Sequence, residues 1–386
     1  MSASPPLTLH WFLPTNGDGR QLVGGGHALG TDGSAGVLRD ATIPYLTQVA
    51  QAAEQVGFTG ALTPTGTWCE DAWLTTAMLV ARTERLKFLV AFRPGFLSPT
   101  LAAQQAATFQ RHSGGRLLLN IVTGGESREQ RAYGDFLDKD ARYRRTAEFL
   151  AVVRALWRGE TVDLRGEHVH VEGAFLDRLP DPVPPVYFGG SSAAAGEVAA
   201  EHADVYLTWG EPPDQVREKI ARVRGLAAAR GRTLRFGVRL HVITRDTAEA
   251  AWSHARSLLA ALDPVRIASV QAALAESESE GQRRMRALHG GSAADLEIAP
   301  NLWAGVGLVR GGAGTALVGS HSDVADRIAE YHALGIDEFV LSGYPHLEEA
   351  WWFGEGVAPI LRRRGLWTPG AADPRVLAEP PHTAPG

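Results

Sequence analysis

The segment PVYFGGSSAAAGEVAAEHADVYLTWG, residues 185–210, contains the unit that decides the fold. Residues 185–190 are apolar and aromatic and end in two glycines, which is typical of a short buried strand. An alanine-rich run follows directly and predicts a helix, and residues 204–210 return to the strand pattern. A strand, a helix and a second strand in this order indicate a parallel sheet joined by helical crossovers.

Strand patterns of this kind recur along most of the chain. We predict strands at residues 7–14, 60–65, 86–94, 116–124, 185–190, 204–210, 235–244 and 337–345. Helical periodicity fills the segments between them, as in IPYLTQVAQAAEQVG (43–57) and SDVADRIAEYHALG (322–335), each of which ends in glycine. Eight strands with intervening helices favour an α/β fold of the (β/α)8 TIM-barrel type over an open doubly wound sheet.

Three segments exceed a minimal barrel. Residues 159–173 alternate like a surface hairpin, and its two histidines have no further metal ligand near them in sequence. Residues from about 263 to 320 form an insertion that is helical at first and then glycine-rich. The end of the chain is rich in proline and alanine. We therefore predict one barrel domain over residues 1–368, with a mobile insertion at about 263–320, and a loose tail at 369–386.

Composition excludes some classes of function. The 386 residues are 45% hydrophobic, and a net charge of -5 argues against nucleic acid as a partner. The single cysteine, Cys69, excludes internal disulfides and cysteine-based zinc sites. The first residues lack the pattern of a secretory signal, and no apolar run reaches membrane-spanning length. We predict a soluble, cytoplasmic protein that does not bind membranes.

The strand at 235–244 places charge beside apolar residues. Because side chains alternate along a strand, Val238, Leu240 and Val242 share one face, and Arg239 and His241 share the other. An exposed edge strand would explain this pattern. In a barrel the same residues would instead face the barrel mouth.

Barrel enzymes carry their chemistry at the carboxyl ends of the strands. The polar or aromatic residues at these ends are Asn16, Asp18, Cys69, Glu70, Arg93, Asn120, Thr123, Ser191, Ser192, Trp209, Glu211, Arg239, His241, Tyr344 and His346. Each alone has an ordinary explanation, such as helix capping or packing. Their convergence on one barrel mouth indicates an active site.

Two glycine-rich segments favour different interpretations. Residues 189–192 run into a helix, so that backbone N–H groups and two hydroxyls offer an anion site, which we assign to a phosphate. A plain serine N-cap is the alternative. The segment GVGLVRGGAGTALVG (305–319) lacks a G-x-G-x-x-G pattern and a clear preceding strand, which excludes a dinucleotide site. Its Arg310 is either an anion-binding residue on a mobile loop or a simple exposed arginine.

Ten segments in order carry a resemblance to one family. They read HWFLPTNGDGR, GFTGALTPTG, CEDAW, LKFLVAFRPG, SPTLAAQQAATFQR, VYFGGSS, YLTWGEPP, RFGVRLHVI, NLWAGVGLVRGGAGTALVG and FVLSGYPHLEEA. From about residue 8 to 360 the chain resembles the flavin-dependent alkanesulfonate monooxygenases of the bacterial luciferase-like superfamily. The resemblance implies that a separate NAD(P)H-dependent reductase supplies reduced FMN. With O2, the enzyme then converts an alkanesulfonate to an aldehyde and sulfite.

The resemblance also implies roles for particular residues. It matches the catalytic residues Cys69, Arg239, His241, Arg310 and Tyr344, the substrate-binding residues Asn16, Trp209, Arg239 and Arg310, and the FMN-binding residues Asn120, Tyr143, Gly190, Ser191 and Ser192. Asn16 stands where the family more often has histidine. A sulfonate is a permanent anion with three acceptor oxygens, which suits the guanidinium fork. His241 is expected to titrate near neutral pH during proton transfer, with an arginine as the alternative base.

Other hypotheses remain open from the sequence. The substrate is an alkanesulfonate or, within the superfamily, methanesulfonate, dimethyl sulfone or an alkane. A sulfonate-binding or flavin-sequestering barrel without turnover, and an F420-dependent relative, are further alternatives. The family resemblance implies a homodimer or homotetramer.

Overall fold

The computed structural model describes residues 6–23 and 36–369. Except for Pro369, the tail predicted at 369–386 lies outside these residues. The mobility predicted for residues 263–320 stays a prediction.

The described residues form thirteen strands. They are β1 (Thr8–Phe12), β2 (Gly60–Thr63), β3 (Lys87–Phe92), β4 (Leu117–Ile121), β5 (Val162–Arg165), β6 (His170–Ala174), β7 (Val186–Gly189), β8 (Val205–Trp209), β9 (Arg235–Arg245), β10 (Glu297–Ala299), β11 (Leu302–Trp303), β12 (Ala316–Ser320) and β13 (Glu338–Ser342).

The described residues also form thirteen α-helices, which connect these strands. They are α1 (Ile43–Val56), α2 (Ala72–Val80), α3 (Pro99–Ser113), α4 (Ser127–Ala132), α5 (Lys139–Trp157), α6 (Ala193–His202), α7 (Pro213–Ala228), α8 (Ala248–Ala260), α9 (Pro264–Ala275), α10 (Glu280–Ala287), α11 (His321–Ala333), α12 (His346–Trp352) and α13 (Ala358–Arg363). A 3-10 turn covers Gly305–Leu308 and a π-helical turn covers Phe353–Val357. In the described part of the chain no single helix has the length and apolarity of a membrane span. α8 and α9 reach that threshold only together, with an 84° bend between them.

Eight parallel strands close into a barrel in the order β1, β2, β3, β4, β7, β8, β9, β13, and β13 pairs again with β1. These are the eight strands predicted from the sequence, and the (β/α)8 fold is confirmed. Residues 159–173 contain the predicted hairpin, formed by the antiparallel strands β5 and β6. Gly57 ends α1 in the left-handed conformation (φ 101°), as the glycine after that helical pattern predicted.

Alternation along the strands separates two apolar layers. Leu62, Leu89, Leu118 and Val340 belong to a cluster inside the barrel. Side chains on the outward face of the strands, such as Val238, Leu240 and Val242 on β9, pack in the larger cluster that the barrel shares with the surrounding helices. The three apolar residues of β9 therefore pack against the helices, as predicted, and Arg239 points to the barrel interior near its upper rim.

β9 is longer than its neighbours and extends beyond the barrel rim. Its residues 235–239 pair with β8, whereas residues 241–245 pair with β12, which lies in the insertion. The sequence had indicated no clear strand before the glycine-rich residues 305–319, and this was wrong, because β10 and β11 precede them and β12 begins within them. Residues 302–319 are all buried, because the short strands and the 3-10 turn pack against β9 and α8.

A buried ionic cluster fills the lower end of the barrel interior. Glu338 accepts hydrogen bonds from Tyr187 Oη at 2.7 Å and from the Arg235 guanidinium, and it lies 3.1 Å from His10 Nε2. Burial alone would raise the pKa of Glu338, but Arg235, His10 and Tyr187 outweigh burial and lower this pKa to about 2.

The lowered pKa of Glu338 predicts a pH-dependent stability. The ionised carboxylate stabilises the fold fully above the unfolded-state pKa near 4.5, and this stability is lost as pH falls toward 2. We expect Glu338→Gln to lower the free energy of unfolding by about 3 kcal/mol at pH 6, with a gap that narrows below pH 4.5. Urea unfolding between pH 3 and pH 6 measures both effects.

The exposed Glu172 on β6 provides the control, since Glu172→Gln should leave the unfolding curve unchanged at every pH. A difference between Glu338→Gln and wild type that stays constant with pH would contradict the assignment of the ionised carboxylate.

Candidate active site

A cavity of about 200 Å³ opens at the carboxyl ends of the barrel strands. Eight of the predicted site residues line it, namely Asn120, Tyr143, Gly190, Ser191, Ser192, Trp209, Arg239 and Arg310. Four other predicted residues, Asn16, Cys69, His241 and Tyr344, lie outside this lining. The cavity is therefore built from the strand ends that the sequence indicated, but not from all of the predicted side chains.

The turn between β7 and α6 forms one wall of the cavity. Ser192 caps α6 by accepting a hydrogen bond from Ala195 N at 3.2 Å, and Arg222 donates to Ser191 O at 2.9 Å. Gly190 has φ 149°, and a Cβ there would lie 2.5 Å from Ala195 Cβ and 3.1 Å from Tyr143 Oη. Only glycine fits this close packing, which brings the backbone and both hydroxyls to the cavity at a helix N-terminus.

Two side chains add to this wall. Tyr143, on α5, hydrogen-bonds to Ser192, and burial raises the pKa of its phenol. Lys139 also lines the cavity, from the first turn of the same helix. A cation in the first helical turn opposes the helix dipole, so helix stability does not explain Lys139. That unfavourable position was the sequence signal for a residue that we had not predicted.

Two arginines meet at the cavity beside one aromatic ring. The Arg239 guanidinium carbon lies 4.3 Å from the centre of the Phe12 ring, and that of Arg310 lies 5.6 Å from the same centre. Arg239 is 5% exposed and Arg310 is 7% exposed. Burial and the nearby Arg310 hold the pKa of Arg239 well below its usual range. Phe12, which the sequence did not single out, is thus a shared cation–π partner.

The charge of these arginines is not balanced by protein groups. Among the described residues, Nη1 and Nη2 of Arg239 have no hydrogen-bond partner, and no carboxylate there lies within 4.0 Å of either guanidinium. Arg310 Nη1 donates to the neighbouring Gly311 O at 3.2 Å, which is a neutral partner. Buried cationic groups without a carboxylate partner are what an anion-binding site requires.

His241 lies behind the cavity wall and is held neutral. Its Nε2 is 3.1 Å from Ala313 O, which can only accept, and its Nδ1 is 2.9 Å from Ser342 Oγ. Nε2 therefore carries the proton, and Nδ1 accepts from the serine hydroxyl. Burial, Arg310 and Arg239 lower the pKa of His241 well below its usual range. The expected titration of His241 near neutral pH does not fit this environment.

Tyr344 connects His241 to a second hydrogen-bonded cluster. Its ring stacks on His241 at 5.4 Å and meets His346 edge-on at 5.2 Å. Asp18 accepts from His346 Nδ1 at 3.0 Å and from Tyr45 Oη at 2.5 Å. Tyr344 also hydrogen-bonds to Arg310, so this cluster positions the arginine from outside the cavity. Asn16 is half-buried in the loop after β1, which also carries Asp18.

Cys69 has contacts that suit a structural role. Its thiol lies 3.7 Å from Pro64 O and 3.6 Å from Gly66 O, within the turn after β2. Burial raises the pKa of the thiol to about 12, despite an opposing hydrogen bond with Thr15. The thiol is therefore protonated at neutral pH. It contacts a turn whose residues Pro64, Thr65 and Trp68 line the cavity.

The insertion covers the cavity and is attached to the barrel rim. Ser279, Glu280 and Gly281 at the start of α10 line the cavity. Further along α10, Arg284 donates two hydrogen bonds to the buried Glu211, at 2.8 and 2.6 Å, and Lys219 donates a third at 2.8 Å. These charged contacts hold α10 over the mouth of the barrel.

Comparison with known proteins gives a family and a set of similar folds. The sequence model of the luciferase-like monooxygenase family matches residues 7–338. A riboflavin lyase, RcaE, solved with modified FMN and riboflavin, has TM-score 0.80 and 20% identity, covering 97% of this chain and 96% of that one. The EDTA monooxygenase EmoA from Chelativorans sp. BNC1 has TM-score 0.76 and 20% identity, over 97% and 98% of the chains. The long-chain alkane monooxygenase LadA has TM-score 0.73 and 20% identity, over 95% and 93%.

The contacts of Cys69 predict an unreactive thiol. With a pKa of about 12, the thiolate fraction at pH 8 is roughly a thousandfold lower than for a free cysteine. We expect a thiol reagent such as DTNB to react with the folded protein more slowly by about this factor than with the urea-unfolded protein. Because Cys69 is the only cysteine, absorbance follows it directly. Reaction of the folded protein at the unfolded rate would contradict the protonated, buried thiol.

Proposed function

Since the chain belongs to the luciferase-like monooxygenase family, we propose that it is an FMNH2-dependent monooxygenase that desulfonates alkanesulfonates to an aldehyde and sulfite. One observation carries the substrate assignment: the buried Arg239 presents two unpaired guanidinium nitrogens beside Arg310 in the cavity. An alkanesulfonate supplies the matching anion with several acceptor oxygens. Dimethyl sulfone and alkanes carry no charge and would leave both arginines unbalanced.

The cavity residues fit FMN as the cofactor. The close-packed turn at Gly190, Ser191 and Ser192 offers donors at a helix N-terminus, and Tyr143 and Lys139 stand beside it. These residues would hold the phosphate. Asn120 presents its amide to the same cavity and would bond to the flavin ring. Reduced FMN supplies the electrons with which O2 is activated.

The two arginines bind and orient the sulfonate in this proposal. Their guanidinium groups offer fixed forks of N–H donors, and Phe12 keeps both of them at the cavity edge. Tyr344 and the neutral His241 support Arg310 and Ala313 from behind. His241 thus contributes a proton held on Nε2 toward a carbonyl, rather than a positive charge.

In this proposal the insertion excludes water from the cavity. α10 and residues 310–313 line the upper side of the cavity, and Gly312 N donates to Gln282 Oε1 at 2.9 Å to join them. Trp209 packs under both, since a Cβ on Gly281 would lie 3.0 Å from its ring. A closed, low-dielectric cavity strengthens the interaction between the arginines and an anion.

The proposal also includes partners. An NAD(P)H-dependent FMN reductase supplies the reduced flavin, O2 is the second substrate, and the protein acts in the cytoplasm as a homodimer or homotetramer. The reductase, O2 and the oligomeric state rest on the sequence resemblance, and the location is the one predicted in the sequence analysis. Methanesulfonate shares the anionic group and is the nearest alternative substrate.

Sulfite release tests the substrate assignment. With a reductase, NADH and FMN, we expect sulfite from n-alkanesulfonates, and none from dimethyl sulfone. Arg239→Ala and Arg239→Lys should each lower kcat/KM by about a hundredfold or more, since a fully engaged charged hydrogen bond contributes about 1.5–3 kcal/mol and the fork is lost. Arg310 variants should behave alike.

Arg256→Ala, at an exposed ion pair on α8, is the control and should turn over normally. Sulfite release from Arg239→Ala at the wild-type rate would contradict the anion site. Tight binding of coenzyme F420 in place of FMN would contradict the cofactor assignment.

Flavin binding tests the phosphate site separately. Replacing Ser191 and Ser192 with alanine removes two hydroxyl donors, so we expect FMN affinity to fall at least about tenfold. Riboflavin lacks the phosphate and should lose little affinity. Fluorescence titration measures both ligands on the same protein, and a thermal melt reports the lost N-cap of α6. An equal loss for FMN and riboflavin would mean that the turn is structural.

A further inference from the structure

Trp68 lines the cavity at a different strand end from the turn assigned to the phosphate. It follows β2, whereas that turn follows β7. In the strand order of the barrel, β1 stands directly across from β7, and β2 is the neighbour of β1. Trp68 therefore lies toward the side of the barrel mouth opposite the turn that carries Ser191 and Ser192.

The Trp68 side chain is fixed by its own turn. A Cβ on Gly66 would lie 2.2 Å from Trp68 Nε1 and 2.7 Å from its Cδ1, so the indole lies directly on the glycine backbone. The turn is anchored by Glu129, which accepts from Thr67 N at 3.0 Å and from Arg93 at 2.6 Å. Arg93 and Glu129 are both 1% exposed, which makes this anchor rigid. The indole is thus a fixed wall.

Apart from Thr65 and the Trp68 indole N–H, the wall around Trp68 is apolar, although it adjoins the two arginines. Phe12, Leu62 and Pro64 line the same end of the cavity, and both Arg239 and Arg310 lie against the Phe12 ring. Charge and apolar surface therefore meet at Phe12. An amphiphilic anion placed there has its head at the arginines and its apolar chain directed toward Pro64 and Trp68.

We infer that Trp68 determines substrate specificity by limiting the length of the apolar chain that the cavity accepts. This inference rests on the proposed function for the nature of the anionic head. A fixed indole at the end of the chain site excludes additional methylene groups, whereas a smaller residue would admit them. In an apolar pocket each methylene changes kcat/KM by roughly tenfold or more.

The experiment compares ethane-, pentane-, octane- and decanesulfonate with wild type, Trp68→Ala and Trp68→Phe. Sulfite release gives kcat/KM, and calorimetric titration of the FMN-loaded protein gives binding without turnover. We expect Trp68→Ala to improve the ratio of long-chain to short-chain kcat/KM by about tenfold or more, mostly through KM. Trp68→Phe, which retains a ring, should shift the ratio in the same direction by less. Trp351→Ala, at a partly exposed position on α12, should keep the wild-type profile.

The outcomes separate this inference from the proposed function. Sulfite release with the same chain-length profile in wild type and both Trp68 variants would overturn the inference and leave the proposed function intact. Absence of sulfite with every sulfonate would overturn the proposed function, and the binding profiles would then decide the role of Trp68. If wild type and the two Trp68 variants bind no sulfonate, the inference and the proposed function are both overturned. Should Trp68→Ala fail to fold, the smaller shift in Trp68→Phe decides.

Discussion

The pairing of β9 with three different strands is the constraint on which the site depends. Over residues 235–239 β9 closes the barrel against β8, and over residues 241–245 it carries β12 of the insertion, while β13 lies along its other edge. The transition between these two partners occurs at Arg239 and His241. Arg239 therefore ends in the cavity, and His241, two residues later, is enclosed between the insertion and β13. Barrel closure and the cover over the cavity are set by one strand.

The cavity concentrates positive charge that the protein itself does not neutralise. Arg239 and Arg310 share the ring of Phe12, and the described residues place no carboxylate against either. Burying two like charges is unfavourable, and the lowered pKa of Arg239 reflects this. The neutral state of His241 has the same cause, because a third cation here would raise the cost further. The site therefore has its donors ordered before an anion arrives, which is the arrangement expected for electrostatic stabilisation of bound charge.

Much of this fold could be predicted from the sequence because its signals are local. Strand periodicity predicted all eight barrel strands. The rule that barrel enzymes carry their chemistry at the carboxyl ends of the strands predicted that Asn120, Trp209 and Arg239 line the cavity. The sequence could not separate the cavity lining from the layer behind it, as Cys69 and Tyr344 show, since that depends on packing between distant loops. β12 was missed because a glycine-rich strand carries little propensity and forms by pairing with β9. Phe12 and Trp68 resemble ordinary core aromatics until the cavity is seen.

The two ends of the barrel interior treat buried charge in opposite ways. At the lower end, Glu338 is matched by Arg235, His10 and Tyr187, and its lowered pKa marks a cluster that stabilises the fold. At the upper end, Arg239 has a lowered pKa for the contrary reason, since burial acts on it without a matching anion among the described residues. The charges of the lower cluster are matched within the protein, whereas the arginines of the upper cluster have the Phe12 ring but no carboxylate partner among the described residues. An anionic substrate that binds there would supply the missing partner for the arginines. Its binding would stabilise the native state, because a ligand that binds only the folded protein adds to the free energy of unfolding.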